Sequence, residues 1–485
     1  MSPQAVVVGG SIAGLGAALA LSGAGYRVHV LERGAPPPDG PLAKAAHLWP
    51  RPTAPQVVQA HTLTSLGVRT LRERAPKVLD ALIAAGARIF HLVNALPPGV
   101  EDRAGAVGDD ELVALACRRT VLELVLHRFV RELPEVRISY GTKVAGLMTD
   151  AGSDRVRGVV TEDGSRLTAD AVVDATGRRS ESRAWLAAAG VPLADDVHAP
   201  SGVSAYTRFY RLTSRELPTP LNRGHAVGNI WGHYAGVLHP EDNDIFSVCV
   251  GALPGDRELS ALREPETFDA VSRATPGLAP WLADGVSEPV SPVHAITCPP
   301  NTLRGSASTR QRPVAGLFAV GDAACVTNPL FGRGISLALT HAFQLADLLT
   351  EIPEPGVAQS RAAARAAERL YQPWFRHAAE SDRARIAQWR AAVNGTPLPA
   401  RPAATGQPSM ADVVVAARTD GVVWRALERV LMGLSTPAEA LGDEKIVLRV
   451  QQADASYRDT EEPPPSRAEL LRVVRAVAAG RGARR

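Results

Sequence analysis

Two glycine clusters, each paired with a carboxylate that closes a hydrophobic run, are the residues of this chain best suited to holding an anion. The first is Gly9-Gly10-Ser11-Ile12-Ala13-Gly14; Glu32-Arg33 follows, with Glu32 23 positions beyond Gly9. The second is Gly321-Asp322, followed by Pro329 and then by Gly332-Arg333-Gly334-Ile335. Glycines let a chain turn sharply and approach a ligand closely, and the free N–H groups of a helix start attract negative charge. A carboxylate at a strand end accepts hydrogen bonds from sugar hydroxyls and repels a further phosphate. These residues therefore offer diphosphate and ribose binding at the first cluster, and sugar and partial-charge binding at the second.

The elements around them support that chemistry. Ala5 to Tyr26 carries no charge, and roughly 20 apolar residues are enough to cross a bilayer. Gly9, Gly10, Gly14, Gly16, Gly23 and Gly25 would weaken a lone helix, and no basic segment precedes the run as in a secretory signal. Ala5–Val8 instead reads as a buried strand, Ser11–Ser22 as a small-residue helix and "RVHVLER" as a second strand ending in Glu32. Strand, glycine turn, helix, strand and acid form the first half of a dinucleotide-binding fold, although Ser11 replaces the middle glycine of the G-x-G-x-x-G pattern. The second cluster lies in "GLFAVGDAACVTNPLFGRGISLALTHAFQLADLL", where a strand stops at Gly321-Asp322 and a helix opens after Gly332. Asp322 there suits the ribityl chain of a flavin. The helix start from Gly332 to Ile335 suits the N1/C2=O edge, which becomes anionic on reduction.

Composition narrows the rest. The 485 residues allow two or three domains, and 53 basic against 50 acidic residues leave a net charge of +3, which points to neither nucleic acid nor an acidic membrane surface as the main partner. Cys117, Cys249, Cys298 and Cys325 are scattered, with no metal-ligand spacing, so a reduced, cytoplasmic protein without a transmembrane segment is expected.

The two clusters, with "VVDATGRRSESRAWL" between them, resemble the FAD-dependent monooxygenases of the p-hydroxybenzoate hydroxylase superfamily, the group A, glutathione-reductase-like flavoproteins. The middle motif has the form D-x-x-G-x-x-S-x-x-R, here Asp174, Gly177, Ser180 and Arg183. "PQVVQAHTL" and "ACRRTVLELVLHRFVREL" look like flavin- and diphosphate-lining segments of the natural-product branch, near the polyether-type epoxidases. By that likeness Arg51 and Arg119 become candidate FAD contacts. The resemblance implies an α/β (α+β) fold with a Rossmann-like FAD-binding domain in two parts, residues 1–195 and 291–350. A β-sheet substrate domain at 196–290 is inserted between them, and a helical region at 351–485 follows. It also implies that FAD is reduced by NADPH or NADH and captures O2 as a C4a-(hydro)peroxyflavin, which passes one oxygen atom to an apolar substrate by hydroxylation or epoxidation. A separate flavin reductase as electron supplier stays open. The cofactor carries this chemistry, so no catalytic side chain and no metal site are assigned.

Ordinary alternatives stand beside these readings. Asp322 also fits a plain helix-approach aspartate, Arg119 an ion-paired residue, and Arg183 local pairing. His61 reads as a packed, hydrogen-bonded histidine. A flavin-dependent halogenase shares the FAD fold, but its W-x-W-x-I-P segment is absent, since no two of the seven tryptophans are two residues apart. Lys77, the nearest counterpart of the halogenase lysine, falls on an amphipathic surface helix. A flavin reductase or dehydrogenase of the geranylgeranyl-reductase type is the other rival.

Between Asp196 and Val290 the pattern becomes alternating, as in "VSAYTRFYRL", "HAVGNIWGHYAGVL" and "DIFSVCVGAL", which reads as a separate antiparallel sheet. In the resembled family such a sheet walls the substrate, so Tyr206, Tyr210, Trp231, His233 and Tyr234 become pocket candidates; as an alternative they fill the sheet core. The tail breaks at Pro353–Pro355, "TPLPARPAATGQP" and "EEPPPS". Its last helix starts at a capping box, Ser466 with Glu469, and stops at Gly480, with Leu470, Leu471, Val473, Val474 and Val477 docking on the body. Arg481, Arg484 and Arg485 read as a solvated end.

Overall fold

A computed structural model describes residues 2–149, 155–398, 408–453 and 463–482. The strand β1 (Gln4–Val8), helix α1 (Ile12–Gly23) and strand β2 (Arg27–Glu32) open the chain. β1 and β2 lie in a five-stranded parallel sheet whose spatial order is Leu317–Ala319, Ala171–Asp174, β1, β2, Val136–Tyr140. The order explains why two distant glycine clusters meet: Val8 pairs with Asp174 and Ala319 also pairs with Asp174, so the carboxyl ends of three strands end side by side. Ligands of such open sheets bind beyond those ends.

A parallel sheet must be covered on both faces. One face of β1 and β2 packs on α1 and on the helices Arg119–Arg131 and Gly334–Glu351, through Val7, Leu15, Val30, Leu124, Leu339 and Leu345. The other face packs Val6, Val8 and Leu31 against Val156, Val159 and Trp185 of a small antiparallel sheet and its neighbouring helix.

A second sheet runs Val227–Ile230, Ala235–Pro240, Ile245–Ala252, Ser204–Leu212, Ser287–Pro289, all antiparallel. His294–Thr297 also pairs with Ser204–Leu212, so the sheet extends past the expected limit at residue 290. The stretch read as one strand around Trp231 is a hairpin, because Trp231 N–H donates to the Tyr234 carbonyl (2.8 Å) and turns the chain back. The side of this sheet bearing Tyr206, Tyr210, Phe246 and Val248 is buried under the helix Pro265–Arg273 and the last helix, Arg467–Gly482, through Phe268, Val271, Leu470 and Val474.

The expected break at Pro353–Pro355 separates the helix ending at Glu351 from the long helix Val357–Asn394. Most of the other two proline-rich breaks lies outside the described residues, as do Arg484 and Arg485. Ser466 and Glu469 form the expected cap, with Ser466 Oγ donating to the Glu469 carboxylate (2.8 Å) and Glu469 N–H donating back to Ser466 Oγ (3.3 Å). The helix continues past Gly480 to Gly482, and Arg481 is not a free end: it pairs with Glu264 at 3.0 Å and donates to Thr267. Among the described residues no helix is long and apolar enough to cross a membrane.

Candidate cofactor and substrate site

One continuous cavity begins at the carboxyl ends of the parallel strands and ends on the second sheet. At its start Gly9 adopts φ +105°, and a side chain there would meet the Ala175 carbonyl at 2.6 Å. Gly14 is more constrained: an added Cβ would stand 1.8 Å from the Gly9 carbonyl oxygen, so only glycine lets α1 begin this close to β1. Gly9, Ser11, Ile12 and Ala13 line the cavity, while Gly10 and Gly14 sit just behind and shape the turn. Glu32 is buried and accepts the N–H of Gly10 and of Gly34, each at 2.7 Å, so it first holds the turn itself. Each carboxylate oxygen has a second lone pair left for a ribose hydroxyl. Arg33 lines the same end at the surface.

Arg51 and Arg119 meet over one buried carboxylate. Arg51 Nη2 lies 2.6 Å from Glu123 Oε1, and Arg119 Nε lies 3.7 Å from Glu123 Oε2. Two guanidiniums against one carboxylate leave one positive charge beside the start of α1, and Arg119 Nη2 donates to Ser11 Oγ at 3.4 Å. The buried Nε of each arginine has no hydrogen-bond partner. Buried arginines normally satisfy their donors, so this open donor set at a helix start fits the diphosphate of a dinucleotide. The helix carrying Arg119 is tied down by Asp242, which accepts the backbone N–H of Arg118 (2.8 Å) and its guanidinium (2.6 Å).

The second cluster joins the same cavity. Gly177, Gly321, Asp322, Pro329, Gly332, Gly334 and Ile335 line it, and Gly177 stands beside Asp322. Burial raises the Asp322 carboxyl above the usual carboxylate range, opposed by the charges of Arg119, Arg178 and Arg304. A Cβ on Gly334 would meet nothing within 4 Å, so the helix start faces open cavity. These groups fit the sugar and ring ends of a flavin. Asp174 and Ser180 of the middle motif bond to each other, Asp174 also takes the N–H and hydroxyl of Thr176, and Arg183 pairs with Asp196 at 3.0 Å, so this motif braces its own turn. Arg333 lines the cavity with the second cluster, and its guanidinium lies over the rings of Phe331 and Trp374 and donates to the carbonyls of Val430 and Leu431, so its side chain also grips the C-terminal helix Gly421–Leu431. Burial lowers it to about 9.

A buried polar network that the sequence reading missed holds this loop. Asp382, on the long helix and fully buried, accepts from Asn301 Nδ2 (2.7 Å), Asn328 Nδ2 (2.8 Å) and Arg385 Nη2 (2.8 Å). Asn328 in turn accepts Leu330 N–H and so caps the short turn Pro329–Phe331 that leads to Gly332. Asn301 and Asn328 come from elements distant in sequence to a carboxylate that Arg385 already pairs with on its own helix, and no local motif announces the two asparagines.

The aromatic candidates on the second sheet require correction. None of Tyr206, Tyr210, Trp231, His233 and Tyr234 lines the cavity. Side chains alternate along a strand, and Tyr206 and Tyr210 point to the helix-covered side, where Tyr210 stacks on Phe246 at 5.2 Å and donates to Asp269. Trp231 stacks on Tyr234 in the hairpin turn, the His233 ring lies tilted against it, and Tyr234 Oη donates to Thr275 at 3.4 Å. The opposite parity forms the wall: Val203 and Ala205, then Ala235, Val237 and His239, then Cys249 and Gly251. Gln59 closes it, accepting from Thr207 Oγ1 (2.7 Å) and donating to the His294 carbonyl (3.3 Å). His61 lines the cavity too; Nδ1 pairs with the Gln59 carbonyl at 2.8 Å, and burial, followed by the charge of Arg119, lowers it to about 3. Lys77 is exposed on its helix, as read.

No family model matches the chain. It is 24% identical over 398 residues to an FAD-dependent monooxygenase of Aspergillus terreus (75% of this chain, 81% of that protein). It is 26% identical over 375 residues to a kynurenine 3-monooxygenase of Salinispora arenicola (73% and 74%). In fold it is similar to P. aeruginosa PqsL in complex with 2-aminobenzoylacetate, with a TM-score of 0.56 at 17% identity (81% and 100% covered). It is also similar to the flavin-dependent brominase Bmp2, with a TM-score of 0.51 at 15% identity and both chains fully covered.

Proposed function

We propose that the chain is an FAD-dependent monooxygenase of the p-hydroxybenzoate hydroxylase type, as its relatives in sequence support, and that it inserts one oxygen atom from O2 into an apolar or aromatic, natural-product-like substrate held against the second sheet. The observation that carries this reading is the continuity of one cavity from the Gly9–Gly14 turn, past Asp322 and Gly332–Ile335, to Val203, Ala205 and Val237. FAD, reduced by NADPH or NADH, supplies the oxygen-activating chemistry when bound.

The chain's own residues bind, orient and exclude water. Ser11, Arg51 and Arg119 would receive the diphosphate, Glu32 the ribose, Asp322 the ribityl hydroxyls, and the N–H groups at Gly332–Ile335 the electron-rich edge of the ring. Small residues on the sheet, Ala205, Ala235 and Gly251, leave room for the substrate body, while burial keeps the site dry. His61 stays neutral at ordinary pH because burial disfavours its charged form, so it is available as a hydrogen-bond partner without adding charge.

The Bmp2 likeness keeps halogenation as the second reading. Against it, Lys143 is the lysine lining the cavity among the described residues, and it sits at the Glu32 end, paired with Glu162. The four cysteines are all free, which supports work in a reducing compartment such as the cytoplasm. Whether nicotinamide reduces the flavin directly or through a separate reductase is read by adding it to purified protein without a partner. The deciding experiment is incubation with an aromatic substrate, reduced nicotinamide and isotopically labelled oxygen gas. Product heavier by one labelled oxygen is expected. Brominated product in bromide, or a saturated double bond without label, rejects the reading.

A further inference from the structure

The long helix Val357–Asn394 carries seven arginines, and Arg385 alone among them is buried, paired with Asp382 at 2.8 Å. The other six, Arg361, Arg365, Arg369, Arg376, Arg383 and Arg390, are exposed. At about 100° per residue they fall within one arc of about 80°, away from the face that Tyr371, Trp374, Ala378 and Trp389 bury against the body. The last four recur at every seventh position, a spacing kept across Pro373.

Among the described residues none of these six guanidiniums has an ion pair or a hydrogen bond. Of the helix's own acids, Glu368 accepts from Thr309 and Asp382 is fully buried in its network, which leaves Glu380 beside the row. The last helix shows the ordinary arrangement: Arg467, Arg475 and Arg481 each meet an acid of the body, Asp256, Glu258 and Glu264. Like charges four residues apart, as at Arg361, Arg365 and Arg369, destabilise a helix, so the row costs the free chain stability. It also leads to the site. Arg390 and Ile386 border a surface groove with Pro200, Pro254 and Pro300, and the inner wall of that groove is Cys298, which lines the main cavity as well.

We propose that the row is the docking surface for a partner protein, which meets it with a helix bearing Asp or Glu at every seventh position. Seven residues advance a helix by about 10.5 Å, so such a partner repeats its carboxylates at the spacing of Arg369, Arg376, Arg383 and Arg390. Each guanidinium fork matches a carboxylate with two parallel hydrogen bonds. Nucleic acid fits less well, because its charges follow about 3.4 Å apart along each strand and share no period with the row. The partner then covers the groove behind Cys298, next to the wall of the substrate cavity.

The test uses the FAD-loaded full chain and two labelled helical peptides of identical composition, their helicity matched by circular dichroism. One carries its glutamates in a single heptad row, and the other spreads them around the helix. Fluorescence anisotropy at low ionic strength should show the row peptide binding roughly tenfold more tightly, the sum of several exposed pairs, with the preference fading as salt is added. Arg369→Glu, Arg376→Glu and Arg383→Glu together should abolish the preference while FAD retention and Tm stay unchanged, and lysine at the same three positions should keep part of it. Reversing Arg72, Arg137 and Arg257, exposed on other elements, should leave it intact. Equal binding of the two peptides, binding of neither, or an equal loss in both charge-reversed variants would overturn the proposal. So would tighter binding of oligothymidylate or of phosphatidylserine vesicles, since the row would then serve a nucleic acid or a membrane. No measurement involves turnover, so the outcome is independent of the monooxygenase reading.

Discussion

At the glycine end of the cavity the backbone shapes the site: the turn at Gly9–Gly14, the Gly10 and Gly34 N–H groups that hold Glu32 in place, and the helix start at Gly334, with the side chains of Glu32, Arg51, Arg119 and Asp322 set around them. At the sheet end the lining is made by side chains from five strands, the segment Gln59–Thr62 and the end of a C-terminal helix, Leu431 and Met432. Backbone recognition needs glycines at fixed local spacing, whereas side-chain recognition needs only that strand parity and tertiary packing agree. The first kind leaves a signature in the sequence and tolerates little change; the second leaves almost none.

The largest effect should come from the glycine end. Gly14→Val forces a side chain into the 1.8 Å space before the Gly9 carbonyl, where the opposing atom is backbone and cannot swing aside. A loss of about 3 kcal/mol of stability is expected, with colourless protein on purification. Thermal unfolding and flavin absorbance measure both, and a yellow variant with unchanged Tm would contradict the close approach of α1 to β1.

Asp322→Ala tests the second cluster and should be smaller. A hydrogen bond to a charged group contributes about 1.5 to 3 kcal/mol, so roughly a ten- to hundredfold weaker hold on FAD is expected. Equilibrium dialysis of FAD is the measurement, and undiminished retention would remove Asp322 from the site. Glu32→Gln should be milder still, within about tenfold, because an amide oxygen can still accept one of the two N–H groups that Glu32 now takes. Glu32→Lys, which accepts none, should be clearly worse in the same assay; equal affinities for FAD would remove Glu32 from the site.

The Gly9–Gly14 turn was legible because it depends on residue types at close sequence spacing, and Glu32 and Asp322 because each closes an apolar run. The face of the second sheet was not. In "VSAYTRFYRL" both parities are buried, one under helices and one against the cavity, so alternation alone identifies two faces without saying which is the wall. The large rings suggested a grip on substrate, but they were needed to fill the space beneath two helices, and Val203 and Ala205 were left to face the cavity. A usable signal was present in the amphipathic segments "PETFDAVSR" and "SRAELLRVVRAVAAG", which require an apolar sheet face and so claim the aromatic one. The Asp382 network was illegible for another reason. Arg385 is only three residues on along the same helix, but Asn301 and Asn328 stand on distant elements, and only the folded chain brings them to that carboxylate.

The smallest expected effect sharpens this contrast between the two sheet faces. Tyr210→Phe removes one hydroxyl that donates to Asp269 under the helix Pro265–Arg273 and leaves the stacked ring in place on Phe246. Asp269 keeps Arg208 as a partner at 2.7 Å, so the carboxylate is not stranded and the loss should be about 0.5 to 1.5 kcal/mol of stability. Because Tyr210 faces away from the cavity, substrate KM and FAD affinity should not change. Val237→Phe is the opposite case. It lies two residues from His239 on the cavity side of the same sheet and should raise KM severalfold by filling space, with little change in FAD retention. Thermal unfolding paired with steady-state kinetics separates the two outcomes. If Tyr210→Phe raised KM while Val237→Phe did not, the assignment of the two faces would have to be reversed.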